Sequence, residues 1–331
     1  MQKSLRGSKI TGTGHYTPQR VLTNFDLEKM VDTTDEWIVT RSGIRERRIA
    51  APEEATSDLV LPAAQAALQS AGLTPKDLDG IIVGTVSGDM VFPATACLVQ
   101  DRLGAAKAAA FDINAACCGF IYGVNTAHAL ISSQRMDKVL VVGVEVMSKL
   151  TDWSDRATCV LFGDGAGAVV LEPAEPGEGI LGTYVRTDGS LADLLYIPAG
   201  GTRYLASPES IKRGDHFIKM KGDGVFKYAV RAMEDATRHV LGEAGLTLED
   251  VDILIPHQAN IRIIDAVQER LGVPADKVIV NLDRYGNTSS ASIPIALDEA
   301  ARSGRVKKGN LVLLVAFGGG LTWGAVLFRY I

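Results

Sequence analysis

Cysteine is scarce in this chain: four residues, with no CxxC pair and no cluster of His and Cys, exclude a disulfide framework and a zinc site and point to reduced thiols. Long apolar runs are absent as well. None approaches the roughly 18 residues of a membrane span, and the opening MQKSLRGSKITGTG lacks the apolar segment of a signal peptide, so a cytoplasmic protein is expected. Positive charge is not in excess. The 34 Lys and Arg stand against 39 Asp and Glu, and a net charge of -5 argues against general nucleic-acid binding. Hydrophobic residues, by contrast, make up 47% of the 331, which is ample core for a globular chain of two domains.

The sequence is also duplicated. Residues 63–147 and 236–320 repeat at a constant offset of 173 positions. AALQSAGLTPKDLDGIIV aligns with TRHVLGEAGLTLEDVDILIP, placing Leu68/Leu241, Ala71/Ala244, Gly72/Gly245, Leu73/Leu246, Thr74/Thr247, Asp77/Asp250 and Asp79/Asp252 in register. Each copy reads as helix, turn, strand. At the same offset Val139, Leu140 and Val142 fall on Val312, Leu313 and Val315, inside apolar runs short enough for buried strands. The period is too long for a solenoid. It predicts an α/β protein of two similar βα halves packed together, 1–175 and 176–331, with a seam near Pro173 to Gly179.

The offset carries Asn114 onto Asn287 and Cys117 onto Ser290. FDINAACCGFIYGVNTAHALISS reads as a short strand, a run of small residues and a helix, and YGNTSSASIPIALDEAARSG is expected to do likewise. A thiol at such a helix start meets unsatisfied N–H groups and the positive end of the helix dipole, which favour a nucleophilic thiolate. Cys117 or Cys118 fits that description, although a Cys among alanines also suits a small buried core position. His257, in ILIPHQAN, directly follows an apolar strand, where the carboxyl edge of an α/β sheet gathers ligand groups. His15, His128, His216 and His239 read as structural. Asn287 stands opposite the Cys loop, although Asn after Gly is also an ordinary turn residue. Three glycines in Phe317-Gly-Gly-Gly-Leu-Thr-Trp323 let backbone approach a ligand and turn N–H groups toward an anion, or simply allow tight packing. A Cys, a His, an Asn and a Gly-rich loop, without a carboxylate base, form an acyl-transfer set.

At this point a resemblance becomes specific. DTTDEWIVTRSGIRERRI, FPATAC, FDINAACCGF, FGDGAGAVVL, PHQANIRII, DRYGNTSSASIP and AFGGGLTWG, in that order and spanning nearly the whole chain, resemble the β-ketoacyl-acyl-carrier-protein synthase III family of thiolase-fold condensing enzymes. The resemblance implies an αβαβα layered architecture and an enzyme, an acyltransferase that initiates fatty acid biosynthesis. It would condense a short acyl-CoA primer with malonyl-acyl carrier protein through an acyl-Cys intermediate, releasing CO2 and needing no cofactor or metal. It implies Cys117, His257 and Asn287 as catalytic residues, with the N–H groups of Cys117 and Gly320 as oxyanion hole. Cys118 replaces the family's usual small neighbour, adding a second thiol that could face the pocket, accept oxidation or fill space.

The same resemblance places CoA against Thr33, Trp37, Arg41, Arg156, Phe226, Ala259 and Asn260, with the adenine sandwiched between Trp37 and Arg156. From the residues themselves, Thr33-x-x-Glu36 is expected to cap a helix that carries Trp37 and Arg41 on one face. Phe92, Met147 and Phe162 would line the acyl pocket, with Phe92 reaching into a partner subunit, which implies a homodimer. Arg262 and Lys227, with Lys212, Arg213, Lys219 and Lys221 nearby, would form a docking surface for acidic carrier protein. GDGAGA at 163–168 has the wrong spacing for a dinucleotide fingerprint and precedes a strand rather than following one, so it is read as structural. Two other readings stay open: a secondary-metabolite acyltransferase or ketosynthase of the same fold, and a silent acyl-CoA-binding module.

Overall fold

The computed structural model describes residues 6–331. Its organisation follows from two apolar strand sets buried on both faces. The first sheet has the order Gly7–Tyr16, Asp164–Ala174, Val139–Val146, Gly80–Gly84, Ala109–Ile113, and the second the order Ile253–Pro256, Leu311–Gly318, Thr322–Arg329, Ile180–Thr187. Gly80–Gly84 pairs in parallel with Val139–Val146 starting at Gly80 opposite Val139; Ile253–Pro256 pairs in parallel with Leu311–Gly318 starting at Ile253 opposite Val312. Both registers are the same register moved by the sequence offset. The Leu68–Asp79 segment and its copy keep it too: helix Thr56–Ala71 ends at Gly72 and helix Gly222–Ala244 at Gly245, both glycines left-handed at φ 69° and 67°.

Strand periodicity sorts the core into three layers. Val139 and Val141 face one cluster while Leu140 and Val142 face another. In the second sheet Val312, Leu314 and Ala316 join the first of these, and Leu311, Leu313, Val315 and Phe317 face a third. The shared central cluster is filled by helices Gly119–Ser132 and Ser292–Arg302, through Phe120, Ile121, Val124, Ile293 and Leu297. Helix Thr56–Ala71 covers the outside of the first sheet, and helices Gly222–Ala244 and Ile261–Leu271 cover the outside of the second. Helix, sheet, helix, sheet, helix is the αβαβα sandwich expected from the resemblance.

Sheet membership changes between Ala174 and Ile180, within the Pro-Gly segment. Two local expectations fail. YGNTSSAS is preceded not by a strand but by a helical turn, Leu282–Tyr285, because Asn287 pairs only with Phe162 in an isolated bridge and no neighbouring strand continues the ladder. GDGAGA does not precede a strand but opens one, Asp164–Ala174. Its glycines admit two neighbouring segments: a Cβ on Gly167 would lie 2.6 Å from Ile295 N of the central helix, and one on Gly163 would lie 2.3 Å from Tyr285 O of the turn Leu282–Tyr285.

Candidate active site

Both central helices begin with a tight turn, Ala116–Cys118 before one and Ser289–Ala291 before the other. Each turn holds a non-glycine residue in left-handed conformation, Ala116 at φ 47° and Ser289 at φ 49°, again one offset apart. Such strain in ordinary residues concentrates where a backbone must aim a functional group. Here the two turns contact each other beneath one cavity.

A tunnel of about 370 Å³ brings Cys117, His257 and Asn287 onto one wall and runs past Phe226, Ala259 and Asn260 to Trp37, Arg41 and Arg262. His257 is fixed through its backbone and its ring. Its N–H donates to Val315 O at 2.8 Å, its Nδ1 meets Ser292 Oγ at 2.6 Å, and Ser292 Oγ also accepts from Gln258 N at 3.3 Å. When the serine hydroxyl donates to Nδ1, the imidazole hydrogen sits on Nε2, where it can act as a donor. Burial pulls the His257 pKa down to about 4, so the ring is neutral near pH 7. Asn287 Oδ1 accepts from Ser289 N at 2.9 Å, leaving its Nδ2 as the donor it can offer a ligand.

The thiol departs from expectation. Burial pushes Cys117 up to about 11, and the opposing hydrogen bonds from the Ser289 hydroxyl and from the N–H groups of Cys117 and Gly319 do not overcome it; the Glu145 carboxylate adds to the rise. A helix start aims N–H groups at this sulfur, but a dry site costs the thiolate more than they return. Gly320 lines the adjoining larger cavity with Met147 and Phe162. Cys118 lies on neither wall: it is fully buried in the central core and its Sγ donates to Thr322 O at 3.4 Å.

At the tunnel mouth the helix Asp35–Ser42 is capped by Thr34, whose hydroxyl accepts from Trp37 N at 3.1 Å, and not by Thr33. Thr33 is absent from the tunnel wall, and its buried hydroxyl has no partner among the described residues. Trp37 and Arg41 do share a face, with the guanidinium 5.6 Å from the ring centroid. Arg156 lies 5.0 Å from the same ring, stacked directly on the indole, so a base can enter between them only if Arg156 swings away. Asn260 caps the helix Ile261–Leu271 and donates to Arg41 O at 3.0 Å, tying the two sides of the mouth together. Arg262 stacks on Phe226 at 5.8 Å and Lys227 is exposed. Lys221 and Arg213 form surface ion pairs with Asp193 and Asp215. Phe92 is 82% exposed and lies on neither cavity wall, whereas Val91, 94% exposed, borders the larger cavity.

Residues 111–189 match the family described as 3-oxoacyl-[acyl-carrier-protein (ACP)] synthase III, and residues 241–330 match its C-terminal region. The β-ketoacyl-[acyl-carrier-protein] synthase III of Symbiobacterium thermophilum is 57% identical over 326 residues, which cover 98% of this chain and 99% of that one. The chain belongs to the β-ketoacyl-[acyl-carrier-protein] synthase III family. The namesake from Caldanaerobacter subterraneus subsp. tengcongensis is also 57% identical, covering 97% of each chain. The crystal structure of the synthase III from Aquifex aeolicus shares 53% identity and a TM-score of 0.90, covering 98% of this chain and 100% of its own. This family member is accordingly an acyltransferase with a thiolase fold, and its reaction is the initiating condensation of fatty acid biosynthesis.

Sequence reasoning missed three polar residues of this synthase III site: Ser292, which holds His257, and the pair Ser289 and Glu145 beside Cys117. Ser292 and Ser289 were visible only as members of a Ser-rich helix start. Glu145 stood out more, as the lone charge in the apolar run VLVVGVEV. Among the histidines read as structural, His128 and His15 are held by Ser8 and Asp298, His239 by Glu243, and His216 lies on the wall of the larger cavity.

Proposed function

We propose that the condensation proceeds in two half-reactions on Cys117, with acyl-CoA as the first substrate and malonyl-acyl carrier protein as the second. The observation that carries this reading is the single tunnel that joins Cys117, His257 and Asn287 to a cationic, aromatic mouth. In the first half the sulfur attacks the thioester carbonyl, the N–H groups of Cys117 and Gly320 hold the oxyanion, CoA leaves and an acyl-enzyme remains. In the second, loss of CO2 from the malonyl thioester generates an enolate, and the carbanion attacks acyl-Cys117.

The states of His257 and Asn287 suit the second step. A neutral imidazole with its hydrogen on Nε2 and an amide offering Nδ2 are both donors, and a decarboxylation needs donors on the thioester oxygen rather than a base, because the departing CO2 leaves the electron pair behind. Trp37, Arg41 and Arg156 would receive the nucleotide end of CoA, with Thr33 behind them, and Phe226, Ala259 and Asn260 the pantetheine arm. Arg262 and Lys227 would meet the carrier protein. Met147 and Phe162 close the acyl pocket from this subunit, and the exposed Val91-Phe92 apolar surface fits a second copy whose pocket Phe92 completes, in a cytoplasmic homodimer. No cofactor is required, since a thioester and a decarboxylation supply the leaving group and the carbanion.

Incubation with a short acyl-CoA and malonyl-acyl carrier protein should release CO2 in step with a β-ketoacyl carrier-protein product. Acyl transfer to an oxygen or nitrogen nucleophile with no CO2 released would reject this reading in favour of the secondary-metabolite alternative.

A further inference from the structure

Glu145 is a charge with no task in the scheme above. It sits in the central strand Val139–Val146, fully buried, two residues before Met147, which lines the acyl cavity. Its carboxylate accepts from Thr85 Oγ1 at 3.1 Å, from Val86 N at 3.1 Å, from Ser87 N at 3.1 Å and from Ser87 Oγ at 2.6 Å. The remaining partner differs in kind. Ser289 Oγ donates to Glu145 Oε1 at 3.2 Å, and Ser289 shares a cavity wall with Cys117, on the two turns that contact each other. Ser289 is one of three non-glycine residues with positive φ among those described, so the backbone is held in strain at the residue whose hydroxyl binds the carboxylate beside the Cys117 turn.

Resting on the reading that Cys117 is the nucleophile, we propose that Glu145 is the proton acceptor for the Cys117 thiol, reached through the Ser289 hydroxyl. The need for an acceptor comes from the site itself: the buried thiol is protonated near pH 7, and Nδ1 of the neutral His257 is already engaged by Ser292 Oγ. As the sulfur electron pair forms its bond to the thioester carbonyl carbon, the thiol proton passes to Ser289 Oγ and the serine proton to Glu145 Oε1. When the tetrahedral intermediate collapses, the C–S bond to CoA breaks, and the same hydroxyl returns the proton from Glu145 to the departing sulfur. One thiol is consumed and one produced, and the carboxylate ends as it began.

Burial raises Glu145 to about 7, near the pH at which a proton acceptor works best. Below that value the carboxyl already holds a proton and cannot take another, so acylation should fall as pH drops through it. The titratable group facing Glu145 is Cys117. Its other contacts are hydroxyls and amides, and the neighbouring carboxylates are turned elsewhere: Asp164 binds Ala50 and Ser148, while Asp89 and Asp112 beyond Ser87 bind Ser57, Thr95 and Ala96.

The test is single-turnover acylation by acyl-CoA, followed by quenched mass measurement of the intact protein from about pH 6 to pH 9. Glu145→Gln should slow acylation on the order of 10²-fold and abolish the limb near pH 7. Ser289→Ala should do the same, and its backbone is safe, because its counterpart Ala116 already holds that conformation with a methyl side chain. The double variant should be no slower than either single, since one path is cut in both. A merely electrostatic Glu145 gives the opposite sign, because removing a negative charge beside the sulfur favours thiolate and speeds acylation. Acylation of Glu145→Gln at or above the parent rate, or the parent pH limb retained in Ser289→Ala, would overturn the relay. An acyl group found elsewhere than on Cys117 would instead reject the nucleophile assignment beneath it.

Discussion

The two halves share a backbone and divide the chemistry. At the offset that superimposes them, Gly84 corresponds to His257, Gly119 to Ser292, Ala116 to Ser289 and Glu145 to Gly318. In the first half Gly84 lies under the start of the nucleophile helix, where an added Cβ would sit 2.5 Å from Gly119 C. In the second half the equivalent space is opened and filled by the His257–Ser292 hydrogen bond. The reverse holds one strand away. Gly318 lets the Cys117 turn approach so closely that a Cβ there would lie 2.7 Å from Cys117 N, whereas Glu145 reaches out to the Ser289 turn. A duplicated fold thus yields an asymmetric site by deciding, position by position, which copy keeps a glycine and which gains a polar side chain.

The largest effect that would test this division comes from the donors of the second half. His257→Ala and Asn287→Ala should each cut malonyl decarboxylation on the order of 10² to 10³-fold, while leaving self-acylation of Cys117 far less affected. Measuring CO2 release and acyl-enzyme mass on the same samples checks it, and equal losses in both half-reactions would erase the proposed split between the halves. The smaller effect tests the glycine side. Gly84→Ala should cost about 1 to 3 kcal/mol in denaturant unfolding, because the new methyl meets backbone rather than a movable side chain. An unchanged midpoint would show that the first half could have housed a side chain there after all.

Much of this was readable before any coordinates. The offset could be read because strands buried on both faces repeat as apolar blocks, and Cys117, His257 and Asn287 were visible because each stands at the end of such a block, next to small residues. What escaped depends on contacts between distant segments. Glu145 and Ser289 are 144 residues apart, and nothing in either local pattern marks them as partners. The thiolate expectation failed for a related reason: helix-start geometry is local and legible, but the burial that outweighs it is imposed by the whole fold. The Thr34 cap shows a smaller limit, since two adjacent threonines offered equal capping chemistry and only the backbone chose between them.

The measurement that bears most directly on the central claim compares acyl loading of Cys117→Ala and Cys118→Ala by intact mass after incubation with a panel of short acyl-CoAs. Cys117 lies on the tunnel wall beside His257 and Asn287, while Cys118 is enclosed in the central core with its sulfur bound to Thr322 O. Cys118→Ala should gain the mass of one acyl group and Cys117→Ala none. Acyl mass retained by Cys117→Ala and lost from Cys118→Ala would contradict the account.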